Sequence, residues 1–277
     1  MANGTITGFQ DFITDVKIKM FTIFGQELKF DKEADSWLFM PTPWPVLSII
    51  MIYLLFVLNV GPKMMKNRNP PNLKYIILVY NIIQILHNGY MVSTIFYPGI
   101  ASTIFGSLCV PYVENENPHL FHMFLEYSWH FFISKISDLM DTVFFVLRKK
   151  QSHVTFLHTY HHVNMVITTW AHLRYIKGYQ GVFYGLINSF IHMVMYTYYF
   201  LSALGPQMQK YLWWKVYLTQ LQMVQFIIML IYGVYLYLND CKFPKIFTIY
   251  IAADLLLFLY LFMMFYRRIY NKKGKIE

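Results

Sequence analysis

The chain has 277 residues, of which 57% are hydrophobic and only 13% carry a formal charge. Because soluble domains usually contain about 25% charged residues, this composition excludes an ordinary soluble core. The net charge of +9 would suit a nucleic-acid-binding protein, but the basic residues lie in short segments between long apolar runs, a distribution typical of membrane topology. We therefore expect one membrane domain and no nucleic-acid partner.

Seven apolar segments are long enough to cross a bilayer as helices, which takes roughly 20 residues each. The predicted spans are Pro45–Val60, Tyr75–Tyr97, Leu120–Leu147, Val154–Leu173, Tyr179–Leu204, Leu212–Leu238 and Lys245–Tyr266. Proline and glycine at the segment ends, as in Gly61-Pro62, are predicted to stop the helices. The expected fold class is an all-α polytopic membrane protein, with an N-terminal segment (1–43), a membrane domain (44–267) and a basic tail (268–277).

The charges of the connecting segments predict the orientation. Acidic residues are concentrated in one alternate set of segments, whereas Glu277 is the only acid in the other set. Because basic loops remain in the cytosol, we predict a lumenal N-terminus and a cytosolic C-terminus. The basic residues of the cytosolic set are Lys63, Lys66, Arg68, Lys74, Arg148, Lys149, Lys150, Lys210, Arg267, Arg268, Lys272, Lys273 and Lys275.

Two further features bear on the compartment. Cys109 and Cys241 fall in two different loops that this topology places in the lumen. Disulfides persist there, so we predict that the two cysteines are bonded; two unrelated free thiols are the alternative. Lys273 and Lys275 have a spacing that resembles the dilysine retrieval signal of endoplasmic reticulum membrane proteins, which a generic basic tail would also produce.

Charged side chains interrupt the third predicted span. Ionisable groups inside a bilayer are costly, so each is a functional candidate. Lys135 and Asp138 lie three residues apart, close enough to pair on one helix, whereas Asp141 lies off that face towards another neighbour. A structural ion pair that locks the helices together is the alternative to a catalytic role.

The fourth span carries three histidines on one helical face, His158, His161 and His162. A single histidine in such a helix would more often be a core residue. Three at this spacing indicate metal ligation, acid–base chemistry or nucleophilic chemistry.

Polar stripes continue on the next two spans. Residues four apart on the fifth span and three apart on the sixth share a face, and interhelical hydrogen bonding explains each one singly as well as a site does. The stripes are Asn188, His192 and Tyr196, then Thr219, Gln222 and Gln225. At the helical rise per residue, the polar groups of all four spans lie roughly 10–18 Å from the cytosolic ends. We therefore expect one buried site that is reached from the cytosol.

In this order, the motifs resemble those of the very-long-chain fatty acid elongase family, membrane enzymes that condense acyl-CoA with malonyl-CoA. The resemblance covers about residues 40–270. The similar strings are Gly61-Pro62-Lys63 with Lys66-Asn67-Arg68, Tyr80-Asn81, residues 135–150, the HxxHH box at 158–162, residues 188–206 and residues 211–226. One departure is Asp138, where the K-x-x-E-x-x-D-T motif of the family usually has glutamate.

The resemblance implies seven helices, six of which form a barrel around a narrow acyl-chain tunnel. It also implies decarboxylative condensation in the endoplasmic reticulum, with no metal or organic cofactor. The implied partners are acyl-CoA, malonyl-CoA, membrane lipid, and the reductases and dehydratase that complete the elongation cycle; a homodimer is one candidate assembly.

His161 is the predicted nucleophile. Neither cysteine maps to the pocket, so an acyl-enzyme would use an imidazole, which is an established type of nucleophile. The groups predicted to orient this imidazole or to polarise the carbonyls are His192, Asn188, Tyr196, Gln222 and Gln225.

The other two histidines of the box, His158 and His162, are predicted orienting or acid–base groups. Asp138 and Asp141 are predicted to hold them. Lys135 would neutralise the acids or meet an anionic group of the substrate. The predicted binding surface for the CoA phosphates is Lys63, Lys66, Arg68, Arg148, Lys149, Lys150, Lys210, Arg267 and Arg268.

Two other classes of function compete with this interpretation. A di-iron desaturase or hydroxylase needs many imidazoles in several boxes, whereas the HxxHH pattern occurs once here. A seven-span receptor or transporter would explain the topology, but not a triple-histidine cluster that is accompanied by acids, amides and basic loops.

Overall fold

The structure, a computed structural model, describes residues 32–106, 118–177, 180–239, 241 and 243–270. All regular secondary structure in these ranges is helical. Each of the seven predicted spans coincides with one long helix, and a short helix, α3, follows the second. The helices are α1 Trp44–Met65, α2 Lys74–Ser93, α3 Ile100–Gly106, α4 Pro118–Leu147, α5 Phe156–Ala171, α6 Gln180–Leu204, α7 Lys215–Leu238 and α8 Lys245–Tyr270.

Four of these helices are long and apolar enough to cross a membrane: α1, α7, α8, and α2 with its extension to Phe96. Large apolar side chains such as Ile52, Leu86 and Ile231 are exposed on them, as expected where lipid surrounds a helix. The chain is therefore a membrane protein. Helices α4, α5 and α6 carry most of the candidate polar residues, and their crossing of the bilayer stays a prediction.

The end of α1 corrects one expectation. Gly61-Pro62 was predicted to stop the helix, but α1 continues through both residues, because Phe56–Val60 form a π-helical turn directly before them. A wider turn accommodates the proline ring, which in a regular α-helix clashes with the carbonyl of the preceding turn. Gly61 also permits close packing on α4, since a Cβ atom there would lie 2.6 Å from Val146 Cγ1.

The helices pack in a defined order of neighbours. Helix α1 contacts α4 and α5, and α4 also contacts α5. Helix α2 packs against α4 and, most extensively, against α6. Helix α6 contacts α7, α7 packs along α8, and α8 contacts α5. This order places α4, α5 and α6, which bear most of the polar residues, beside one another.

The segment before α1 is more closely packed than a surface tail. Ala34 and Met40 are fully buried, and Asp35 forms ion pairs with Arg174 at 2.5 Å and Lys177 at 2.8 Å at the end of α5. All three charged residues belong to the segments predicted to be lumenal. The ion pairs therefore fit that assignment, although the orientation itself stays a prediction.

Cys241 is buried and disulfide-bonded. Its predicted partner Cys109, and the tail lysines Lys273 and Lys275, lie outside the described residues. The pairing of the two cysteines and the retrieval signal therefore stay predictions.

Candidate functional site

The predicted ion pair of α4 is present. Lys135 Nζ lies 3.1 Å from Asp138 Oδ2, and both side chains are buried. Lys135 Nζ also donates a hydrogen bond of 2.7 Å to Asn188 Oδ1 on α6. A buried ion pair is tolerated only when further hydrogen bonds satisfy its atoms, and the amide of Asn188 supplies one of them.

The two aspartates of α4 share one tyrosine of α6. The Tyr196 hydroxyl oxygen lies 2.8 Å from Asp138 Oδ1 and also 2.8 Å from Asp141 Oδ2. One turn earlier on α6, His192 Nδ1 lies 3.4 Å from Asp138 Oδ2, outside hydrogen-bond geometry. The polar stripe predicted on α6 therefore faces the acids of α4.

Helix α2 contributes a residue that the sequence analysis did not single out. Gln84 is buried and its Nε2 atom donates to Asp138 Oδ1 at 2.9 Å and to Ser137 Oγ at 3.0 Å. An amide inside an apolar span was the signal that could have identified it. We call the following residues the acid cluster: Gln84, Lys135, Asp138, Asp141, Asn188, His192 and Tyr196.

The HxxHH box corrects a second expectation, because the acids of α4 do not hold it. Among the described residues, no hydrogen bond or ion pair joins Asp138 or Asp141 to His158 or His162. His158 Nε2 instead lies 3.0 Å from Thr142 Oγ1. The cause is rotation about the helix axes: the carboxyl groups of α4 face α2 and α6, whereas its threonine faces α5.

His161 occupies a different environment from its neighbours in the box. Its ring lies 5.0 Å from the ring of Phe258 on α8 and 5.5 Å from that of His162, centroid to centroid. The rings of His158 and His162 are 4.3 Å apart. No three histidine, cysteine, aspartate or glutamate side chains in the described part of the chain are placed to share a metal ion.

A cavity lies beside His161. Its polar wall includes His161, Asn188 and Gln225, while Gln222 is not part of the lining and contacts Met195 Sδ at 3.8 Å. Apolar side chains of α7 and α8 and of the segment before α8 form much of the remaining wall, namely Phe226, Met229, Phe243, Phe247, Ile251, Leu255 and Phe258. Asn188 connects this cavity to the acid cluster through its bond with Lys135.

A second polar network, which the sequence analysis missed, lies between α5 and α8. Asp254 accepts a hydrogen bond of 2.9 Å from the Tyr160 hydroxyl and one of 2.8 Å from Asn164 Nδ2. Tyr250 donates to Asn164 Oδ1 at 2.7 Å and lies 2.8 Å from Thr168 Oγ1. We call these five residues the seam network. A lone acid in an apolar span was the available signal.

The basic residues predicted to bind CoA are exposed, and the structure brings some of them together. Lys149 Nζ, in the loop after α4, donates to the carbonyl of Lys66 beyond α1 at 3.2 Å. Partial burial, and the neighbouring Arg148, lower the pKa of Lys150. Partial burial, and the neighbouring Lys150 and Lys215, lower the pKa of His153. The other predicted residues of this surface that are exposed are Lys63, Arg68, Arg148, Lys210, Arg267 and Arg268.

Comparison with known proteins gives one consistent result. The model of the ELO family, described as the GNS1/SUR4 family, matches residues 38–277. A very long chain fatty acid elongase of Aedes aegypti is 38% identical over 87% of this chain and 67% of its own length. Very long chain fatty acid elongase 4 of Homo sapiens is 40% identical over 88% of this chain and 77% of its own length. Very long chain fatty acid elongase 7 of Rattus norvegicus is 39% identical over 89% of this chain and 88% of its own length.

Proposed function

Because the chain belongs to the ELO (GNS1/SUR4) family, whose matching relatives are very long chain fatty acid elongases, we propose that it catalyses the condensing step of fatty acid elongation. A long-chain acyl-CoA and malonyl-CoA would give 3-oxoacyl-CoA, CO2 and CoA. Membership in the family supports an enzyme of fatty acid elongation and acyl-CoA substrates. The reaction type, an acyl transfer with decarboxylation, is the proposal.

The observation that carries the proposal is the lining of the cavity. Apolar side chains of α7, α8 and the segment before α8 suit an alkyl chain, and His161, Asn188 and Gln225 are among the polar residues that line the same cavity. Ligand sites of this kind are largely apolar with a few placed polar groups. An acyl chain would lie along the apolar part with its thioester at the imidazole.

The order of helix contacts supports enclosure of that chain. Starting from α4, the contacts run through α2, α6, α7, α8 and α5 and return to α4, while α1 packs outside against α4 and α5. We therefore propose a barrel of six helices around the acyl chain. In this proposal α4, α5 and α6 also cross the bilayer, which gives seven spans.

In the proposed mechanism, His161 attacks the thioester and forms an acyl-imidazole. It is the histidine of the box that lines the cavity, and Cys241 is unavailable because it is disulfide-bonded. Gln225 and Asn188 are placed on the cavity wall to donate towards carbonyl oxygens. Lys135 fixes the Asn188 amide, since Asn188 Oδ1 accepts from Lys135 Nζ and the NH2 group stays available.

The remaining residues take supporting roles. His158 is within hydrogen-bond distance of Thr142 on α4, and the ring of His162 packs against the ring of His158. Together these contacts would fix the orientation of α5 and therefore the position of His161. The exposed basic residues at the ends of α1, α4 and α8 would bind the CoA phosphates in the cytosol, because the CoA moiety cannot enter lipid. We propose the endoplasmic reticulum as the location, with a lumenal N-terminus, and the reductases and dehydratase of the elongation cycle as partners.

Release of CO2 from malonyl-CoA tests the proposal. Purified protein in lipid nanodiscs, with a panel of acyl-CoA primers and labelled malonyl-CoA, should release CO2 and form 3-oxoacyl-CoA in equal amounts. Mass spectrometry after incubation with acyl-CoA alone should find an acyl adduct on His161. Absence of CO2 release with every primer would reject the condensing activity, and two iron atoms per chain would favour a desaturase or hydroxylase instead.

A further inference from the structure

The Tyr196 hydroxyl group lies close to two carboxyl groups, but it has only one hydrogen to donate. Its hydroxyl oxygen lies 2.8 Å from a carboxylate oxygen of Asp138 and 2.8 Å from one of Asp141. The tyrosine hydrogen can satisfy one of these contacts. If both aspartates were ionised, the other contact would place lone pairs of two oxygens against each other in a region from which water is excluded, since Tyr196 is fully buried. A second hydrogen must therefore come from a carboxyl group.

The partners of the two aspartates differ, and this difference indicates which one carries the hydrogen. Asp138 is surrounded by donors: Lys135 Nζ at 3.1 Å on one oxygen and Gln84 Nε2 at 2.9 Å on the other. His192 Nδ1 lies 3.4 Å from the first of these oxygens. Lys135 and Gln84 favour an ionised Asp138, because hydrogen bonds and opposite charge stabilise the charged form.

Asp141 lies in a different environment. The groups that face it are tyrosines from three helices, together with its neighbours on α4, and the two charges nearest to it, those of Lys135 and Asp138, pair with each other. Burial next to an ionised carboxylate disfavours a second negative charge. The titratable groups facing Asp141 are Tyr53 on α1, Tyr80 on α2, Lys135 and Asp138 on α4, and Tyr196 and Tyr199 on α6.

We propose that Asp141 is a neutral carboxylic acid in the resting enzyme, that it donates its hydrogen to Tyr196, and that it stores the proton which the condensation consumes. In this arrangement Tyr196 donates in turn to Asp138. Asp141 thus acts through Tyr196 as a proton-holding residue and touches no substrate. The delivery part of this inference rests on the proposed function and its acyl-imidazole, whereas the protonation of Asp141 does not.

The stoichiometry of the reaction requires such a proton. When malonyl-CoA loses CO2, the electron pair of the broken bond forms the new bond to the acyl carbon. The bond between that carbon and the His161 nitrogen then breaks, and its electron pair stays on the imidazole, which needs one proton to become neutral. No proton is released in this half-reaction, so the enzyme must supply one and recover it from water afterwards.

The acid cluster offers a route for this proton. Asp141 passes its proton to Tyr196 while Tyr196 passes one to Asp138 Oδ1. The Asp138 carboxyl group then turns about its Cβ–Cγ bond and closes the 3.4 Å gap to His192 Nδ1, which takes up this proton. In the final step of the proposed route, His192 gives the proton on Nε2 to His161 on α5. One proton leaves Asp141 and one arrives at His161, so the charges balance. General acid catalysis of this kind contributes about 10²- to 10⁴-fold to a rate.

Infrared spectroscopy tests the protonation without any substrate. Protein in nanodiscs at pH 7 should show the carbonyl stretch of a neutral carboxylic acid, which Asp141→Asn should lose. Asp254→Asn is the matched control, since it removes the acid of the seam network, and it should keep the band of Asp141. A band that survives in Asp141→Asn, or its absence from the wild type, would overturn the proposal. If Asp141→Asn does not fold, Asp141→Glu is the second variant and should shift the band. An unshifted band in Asp141→Glu would also overturn the proposal.

The two half-reactions separate proton delivery from a structural role. With acyl-CoA alone, Asp141→Asn should release CoA within about threefold of the wild-type rate, because an asparagine amide can still donate to Tyr196. The malonyl-CoA-dependent step should slow about 100-fold or more. Equal slowing of both steps would show that Asp141 acts on structure only. A wild-type protein without an acyl adduct would reject the acyl-enzyme of the proposed function, and the infrared result would still decide the protonation.

Discussion

The acid cluster and the seam network are two polar arrangements between helices, and each contains at least one carboxyl group, one tyrosine hydroxyl and one amide. The acid cluster joins α2, α4 and α6, contains a cation in Lys135 and an imidazole in His192, and lies almost entirely out of contact with solvent. The seam network joins α5 and α8 around Asp254, which is only partly buried, and its hydrogen-bond partners are neutral.

The difference shows how the surroundings of a carboxylate decide its use. In the acid cluster, unequal partners drive two neighbouring acids towards different protonation states, which is the condition for moving a proton. In the seam network, each oxygen of Asp254 accepts from one neutral donor, which holds two helices together. Ring contacts of Tyr160 and His161 with Phe258 also join α5 to α8, so we assign the seam network to closing the cavity wall rather than to chemistry.

The largest expected effect is on catalysis beside the acid cluster. His161→Ala should reduce condensation by at least about 1,000-fold, as removal of a nucleophile typically does, with an unchanged elution profile in size-exclusion chromatography. His119→Ala, which changes an exposed histidine at the start of α4, is the control and should keep normal turnover. Full activity of His161→Ala with acyl-CoA and malonyl-CoA would reject the assigned nucleophile.

The next effect concerns the cation that distinguishes the two networks. Lys135→Met leaves Asp138 buried beside Asp141 without its positive partner and should lower the free energy of unfolding by about 3–5 kcal/mol. Denaturant titration in detergent measures the change. The exposed Lys149→Met should change stability by less than about 0.5 kcal/mol. Equal stabilities of the two variants would mean that the ion pair contributes nothing.

A smaller effect is expected in the seam network. Tyr160→Phe removes one hydrogen bond to Asp254, and hydrogen bonds between membrane helices contribute about 0.6 kcal/mol on average. Turnover should stay close to that of the wild type, because Tyr160 does not line the cavity. Tyr260→Phe, on the exposed face of α8, provides the baseline. A large fall in turnover for Tyr160→Phe would assign the seam network to the chemistry.

A further modest effect is expected outside both networks, at the basic surface. Lys149→Gln should raise the KM for acyl-CoA about fivefold, which corresponds to loss of roughly 1 kcal/mol from an exposed charge interaction. Raising the salt concentration should shrink the difference. Lys32→Gln removes the same charge from the segment before α1 and should leave KM unchanged. Equal shifts in both variants would indicate a general effect of net charge instead of a binding surface.

Contacts within one helix could be predicted, and contacts between helices largely could not. The pair of Lys135 and Asp138 follows from a spacing of three residues, and the structure confirms it. The partners of Asp138 on α2 and α6 depend on how each helix is rotated about its axis. A rotation of one residue position turns a side chain by about 100°, so the expectation that these acids hold the HxxHH box was wrong.

Two further residues show where the sequence-based reasoning stopped. Gln84 and Asp254 are single polar residues in apolar spans, without the local repetition that made the histidine box visible. Gly61-Pro62 was interpreted by its usual effect, whereas the π-helical turn before it lets α1 continue. In each instance, the role of the residue depends on an interaction with a neighbouring turn or helix, and the sequence immediately around the residue does not reveal that interaction.

The amino-acid sequence by itself determined the membrane class, the positions of the long helices and the family. These properties depend on composition, on hydrophobic run length and on spacings within one helix, all of which are local. The tertiary structure alone decided that Tyr196 lies between two aspartates, that Asn188 connects Lys135 to the cavity and that Asp254 joins α5 to α8. Those contacts require particular depths and rotations of several helices at once, which are set by packing across the whole bundle.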